Sequence, residues 1–63
     1  MYKLGFTFKV KESGYIGVIN GVTTTGTYHV AFYENGELWC QIDVCEGVIK
    51  NNLEDGTYEE VKS

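Results

Sequence analysis

Apolar and polar residues alternate from the start of the chain. Tyr2, Leu4, Phe6, Phe8 and Val10 are apolar, while Lys3, Gly5, Thr7, Lys9 and Lys11 are polar or small. A period of two over such a length predicts a half-buried β-strand rather than a helix. Glu12-Ser13-Gly14 then signals a turn, and residues 15–19 read as a second strand ending near Asn20-Gly21. Residues 22–26 read as the loop closing the next hairpin. Thr27–Tyr33 and Glu37–Val44 alternate again, on either side of Glu34-Asn35-Gly36. Residues 47–52 are too short and too polar for a long helix and predict a single helical turn or a loop. Thr57–Val61 predicts a fifth strand. The chain has no proline, so no strand is barred from the sheet interior.

The hydrophobic pattern also sets the register. A two-residue loop at Asn35-Gly36 would put Phe32 opposite Trp39 and leave both faces mixed. A three-residue loop, Glu34-Asn35-Gly36 with a bulge, pairs Phe32 with Leu38, Val30 with Cys40 and Tyr28 with Ile42. One face is then uniformly apolar, and a slip of one residue would turn that whole set to water. The same geometry at Glu12-Ser13-Gly14 pairs Val10 with Ile16 and Phe8 with Val18. Closing the middle hairpin lets Val18 pair with Val30. The expected interior is Leu4, Phe6, Phe8, Val10, Ile16, Val18, Tyr28, Val30, Phe32, Leu38, Cys40, Ile42 and Val44. A flat sheet would leave that face wet, and burial at about 25 cal/mol per Å² favours curling. The expected fold is one all-β domain over residues 1–63. It is a five-stranded antiparallel meander curled into a small barrel, with one short helical turn before the last strand and Tyr58 or Val61 turned inward.

The residues that carry this pattern resemble a known family. Gly14, Ile16 and Val18, then Tyr28, Val30 and Phe32, then Ile42, Val44 and Glu46 resemble the packing positions of small SH3-like barrels of the Tudor or KOW type. The resemblance implies the barrel fold over most of the chain and assigns no functional residue; the aromatic cage of methyl-ligand Tudor domains is not evident. The short, proline-free chain also resembles small accessory proteins of phages and prophages.

In the expected register Trp39, the only tryptophan, faces outward. One outer row reads Lys9, Gly17, Ala31, Trp39. Beside it lie Tyr15 and Tyr33 on one side, and Ile19, His29 and Gln41 on the other. An indole over Gly17 and Ala31 would fill the hollow left by two small residues, with Lys9 supplying a cation–π contact. The same cluster of Trp39, Tyr33, Tyr15, Ile19, His29 and Lys9 is also the expected binding surface, since exposed aromatic patches mark interaction sites. The two roles are compatible.

Charge narrows the partners. Net charge is −4, but residues 1–33 balance to +2 through Lys3, Lys9 and Lys11 against Glu12. Residues 34–63 balance to −6. There is no arginine. Duplex DNA is disfavoured, because Lys and Arg supply most of that affinity. Glu54, Asp55, Glu59 and Glu60 form an acidic edge that discourages strand pairing or engages a basic partner. His29 is a lone surface histidine with no catalytic neighbour. Cys40 and Cys45 would stand roughly 16 Å apart along one strand, too far for a disulfide, which needs about 7 Å or less. Cys40 is expected in the core and Cys45 near the surface. No metal site or cofactor is expected.

Hydrophobic content of 43% argues against disorder. No apolar run reaches the roughly 18 residues of a membrane span, and the N-terminus lacks a signal-peptide stretch, so the cytoplasm is the expected location. No nucleophile–base pair or paired carboxylates converge, so no enzyme is expected. The expectation is a protein-binding module, accessory or inhibitory, that engages a protein partner or a second copy through the Trp39 face or the acidic edge. The alternative is single-stranded nucleic-acid binding, with bases stacked on Trp39, Tyr33 and Tyr15 and Lys3, Lys9 and Lys11 along the backbone.

Overall fold

Gly5 ends the first alternation early. In the computed structural model, which describes residues 2–62, its φ is 88°, a left-handed conformation that glycine adopts without a Cβ clash. The chain turns there, and the Phe6 N–H donates to Lys3 O at 3.0 Å. Strand β1 is therefore only Thr7–Val10. Leu4, expected inside, is 66% exposed. Tyr2 packs instead on Phe6, with ring centroids 4.7 Å apart.

Four further strands and one helix follow: β2 Ile16–Val22, β3 Thr27–Glu34, β4 Glu37–Cys45, α1 Glu46–Glu54 and β5 Tyr58–Glu60. The five strands form one antiparallel sheet in the order β4-β3-β2-β1-β5. Strands β1 to β4 form the expected meander. The sheet is not closed into a barrel: β5 pairs with β1, from Val10↔Tyr58 to Phe8↔Glu60. The chain reaches that far edge through α1, which packs on the sheet and covers the face that curling would otherwise have hidden.

The first hairpin departs from the expected register. Its loop has four residues, 11–14, not three. Val10 O accepts from the Gly14 N–H at 2.7 Å, and the Val10 N–H donates to Tyr15 O at 2.8 Å. Phe8 thus pairs with Gly17 and Thr7 with Val18. That one-residue difference exchanges the faces of β2. Gly17 and Ile19 turn inward, with Tyr15 beside them against the core, while Ile16 and Val18 turn outward. Packing explains the choice. A Cβ on Gly17 would lie 2.4 Å from Phe8 Cζ, so the ring occupies the space a side chain would need. An aromatic does cover the strand glycine, but it is Phe8 from the inner face, not Trp39 from the outer.

The core is Phe8, Ile19, Tyr28, Val30 and Phe32 on the sheet, with Ile49 of α1 above them. Phe8 is its centre. It stacks on Tyr58 at 4.5 Å and meets Phe32 edge-on at 5.9 Å. Tyr58 is inward as expected, and burial raises its phenol pKa. The Tyr28 hydroxyl accepts from the Tyr2 N–H at 3.1 Å and donates to Glu46 Oε1 at 3.0 Å, so it ties the N-terminal segment to the start of α1. Threonines close the middle hairpin. The Thr23 hydroxyl oxygen accepts from the backbone N–H groups of Thr25 and Thr27.

Helix α1 has nine residues, more than the single turn or loop expected. Ile49 and Leu53 stand four apart, so they share one face and both pack on the core. Glu46 places a negative charge in the first turn, where the helix dipole favours it. The helix stops at Asp55, followed by Gly56 with φ 88°, a common left-handed terminator. The Asp55 carboxylate accepts from the Thr57 N–H at 2.8 Å. Hydrogen bonding to Thr57 holds the Asp55 carboxyl below its ordinary pKa. A lowered folded-state pKa contributes stability above the unfolded value of about 3.9 and loses it as pH falls through the folded value. Asp55→Ala should therefore be less stable than the parent at neutral pH. In paired urea titrations the difference should shrink steadily below about pH 4. A gap that widens with acid would contradict the cap.

Candidate functional site

Asn35-Gly36 forms the two-residue turn after all. Asn35 has φ 52° and Gly36 φ 84°, and two successive positive φ values define the type I′ hairpin turn. Glu34 pairs with Glu37 and Tyr33 with Leu38, but the next pair is Phe32 with Cys40. Trp39 is the extra residue of a bulge. That insertion restores the parity which the short turn alone would lose. Val30 pairs with Ile42 and Tyr28 with Val44, so the inward set of β4 survives, two positions along from the expected partners. Leu38, on the turn side of the bulge, leaves the interior and is 53% exposed. Cys40, expected as a core thiol, is only partly buried, and Cys45 is exposed; both are free.

Trp39 is 57% exposed, yet it is not on the face expected for it. Its ring lies 4.7 Å from that of Tyr15, tilted by 47°, and Tyr15 packs on the core cluster. Such a pair contributes about 0.5–1.5 kcal/mol beyond its burial and holds the indole in one place. The negative charge of Glu34 raises the Tyr15 phenol pKa, with desolvation and a hydrogen bond to the same carboxylate adding to it. The site is thus an exposed indole supported by a tyrosine that in turn meets a carboxylate, at the turn end of β4. Further along the same strand, on the inner side, Ile42 is 49% exposed.

The other expected surface residues separate. Ile19 is fully buried and contributes no surface. Tyr33, Lys9 and His29 lie on the outer face, away from Tyr15. Tyr33 is half-buried between Ile16 and Leu38 in its cross-strand row. Lys9 lies between Ile16 and Glu59. His29 stands over Gly21 and is not alone: its Nδ1 lies 2.6 Å from Asp43 Oδ1. The expected register hid this partner by setting His29 opposite Gln41. Of the acidic edge, Glu54 and Asp55 end the helix, and Glu59 and Glu60 lie on the outermost strand β5. Glu59 Oε2 is 3.9 Å from Lys11 Nζ, an exposed pair of small energetic weight.

Charge is distributed by strand. Between Lys11 and Lys50 the sequence has no lysine or arginine and five acids: Glu12, Glu34, Glu37, Asp43 and Glu46. Strands β2, β3 and β4 all fall in that span. Among the described residues no three His, Cys, Asp or Glu side chains gather as a metal site, no cavity opens, and no helix is long and apolar enough to cross a membrane. Comparisons with protein-family models, with curated proteins and with solved structures return no match.

Proposed function

We propose that this chain is a non-enzymatic protein-interaction domain whose contact surface is the β4 side of the sheet, centred on Trp39. The observation that carries this is a half-exposed indole set by a bulge and backed by Tyr15. Tryptophan and tyrosine lead the residues that dominate binding energy, and a pre-set ring loses little freedom on contact. Leu38 and Ile42 extend the apolar surface along the same strand. Within this proposal the fold is an opened relative of the small SH3-like barrel. The size and acidic charge suit an accessory or inhibitory protein of phage type, working in the cytoplasm.

The test is capture of partners from host lysate on the tagged chain, with and without Trp39→Ala. The parent should retain a partner that the variant loses. The variant should keep its circular dichroism spectrum and lose about 1 kcal/mol of stability, the worth of the ring pair. An unfolded variant would make Trp39 a packing residue. Undiminished capture would move the surface elsewhere.

No observation favours the nucleic-acid alternative. Stacking platforms need cations beside them to track the backbone. Tyr15, which backs Trp39, has Glu34 beside it, whereas Lys9 and Lys11 lie by Glu59.

A further inference from the structure

The two free edges of this sheet differ. Strand β5 is three residues long and carries Glu59 and Glu60. Short, charged edge strands are how sheets discourage unwanted pairing. Strand β4 is nine residues long, three times the length of β5, and its protections are the bulge at Trp39 and two carboxylates, Glu37 and Asp43, the latter held by His29. From Phe32↔Cys40 to Thr27↔Cys45 its pairing with β3 is unbroken, so its other side offers a regular row of backbone donors and acceptors to solvent. Exposed apolar side chains lie in that row at Ile42 and just before it, at the bulge, at Leu38 and Trp39. Trp39 and Ile42 are on the inner side and Leu38 is on the outer.

We infer that β4 is an acceptor for strand addition, and that its occupant is an extended segment of another protein bearing lysine or arginine. This rests on the interaction role proposed above and adds its mode and the partner's chemistry. Strand addition draws affinity from main-chain hydrogen bonds and selectivity from alternate side chains. Here alternate residues of the incoming strand meet Trp39 and Ile42 on one face and Leu38 on the other. Charge selects the partner. The span from Glu12 to Ile49 contains acids and no lysine or arginine, and Glu37 and Asp43 lie on β4 itself. A second copy is a poor occupant. Its available edges are β4 and β5, both acidic, while Lys9 lies on β1 between β2 and β5. Like charges brought opposite each other across strands are destabilising.

The test uses the full chain against a display library of random peptides nine residues long, the length of β4. The most enriched peptide is then synthesised for amide hydrogen exchange by NMR. Enriched peptides should carry Lys or Arg alternating with β-branched or aromatic residues. The bound peptide should slow exchange of solvent-facing amides within residues 37–45 by at least about tenfold. Glu37→Lys should weaken binding at least about fivefold through lost charge complementarity, and Glu59→Lys on the far edge should not. Strand addition is overturned by enrichment of acidic peptides, by no enrichment at all, or by bound peptide without slowed β4 exchange. Concentration-dependent protection of β4 in the free protein also overturns it, in favour of a second copy. A lysate partner that depends on Trp39 while its binding leaves β4 exchange unchanged would remove strand addition and leave the interaction role standing.

Discussion

Phe8→Ala should leave the domain largely unfolded at physiological temperature. Phe8 is fully buried, with Tyr58, Phe32 and Phe6 within ring-contact distance. It is the one side chain that joins β1, β3 and β5 in a single stack. Truncating a buried phenylalanine costs about 3–5 kcal/mol. At about 0.05–0.15 kcal/mol per residue, a chain of 63 residues has only about 3–9 kcal/mol in total. The loss therefore takes most of the margin. Gly17 gives the complementary test. In Gly17→Ala the new methyl would stand 2.4 Å from Phe8 Cζ, and the ring cannot retreat without displacing Phe32 or Tyr58. Overpacking of this kind costs about 1–3 kcal/mol. Phe8→Leu combined with Gly17→Ala should cost less than the sum of the two single changes, because the smaller side chain makes room for the methyl. Urea titrations followed by circular dichroism measure the parent and the four variants. A Phe8→Ala variant within about 1 kcal/mol of the parent would show that the core lies elsewhere.

The meander was legible because its alternation is strong: β1, β3 and β4 all lie inside stretches of period two. Faces were legible on β3 and on most of β4, where Tyr28, Val30 and Phe32 have no apolar competitors at the intervening positions except Ala31. On β2 they were not. Ile16 and Val18 alternate as well as Gly17 and Ile19 do, and hydrophobicity alone favours the first pair. What decided the register was volume. Phe8 needs the space of a glycine, and a count of apolar positions does not register a missing side chain. The Asn-Gly turn was legible by local rule, but the hydrophobic pattern argued against it until a bulge at Trp39 satisfied both. A bulge has no strong sequence mark of its own.

The candidate site was half legible for the same reason. Trp39 is exposed, as expected, but its partner is Tyr15 across the inner face, and neither Lys9 nor Ile19 joins it. Tyr15 was expected near Trp39 on the outer face; the altered parity of β2 and the bulge in β4 carried both aromatics to the other side together. The pair His29–Asp43 was lost through a shift of two positions in the β3–β4 register, which keeps every side chain on its face and changes only its neighbour. Face and partner are separate pieces of information, and alternation carries only the first.

Ile49→Ala should cost about 2–5 kcal/mol and release α1 from the sheet. Ile49 is the one fully buried side chain of the helix, and Leu53 beside it is only partly covered. A helix of nine residues is not stable alone, since isolated helices shorter than about 12–15 residues are marginal in water. Its order therefore depends on this contact. Because the sheet is open, the loss does not stay local: Ile49 packs in one cluster with Phe8, Ile19 and Val30, and no second sheet stands behind it to close the gap. The neighbouring Val48 is the control, being 43% exposed. Val48→Ala should cost well under about 1 kcal/mol, as surface changes do. Amide exchange across residues 46–54 distinguishes the two. In Ile49→Ala these amides should exchange faster than those of β3, whereas in Val48→Ala the order of protection should match the parent. Equal effects from both variants would mean that α1 rests on the sheet without being anchored in it, and that β5 is held to β1 by its ladder and the Phe8–Tyr58 stack alone.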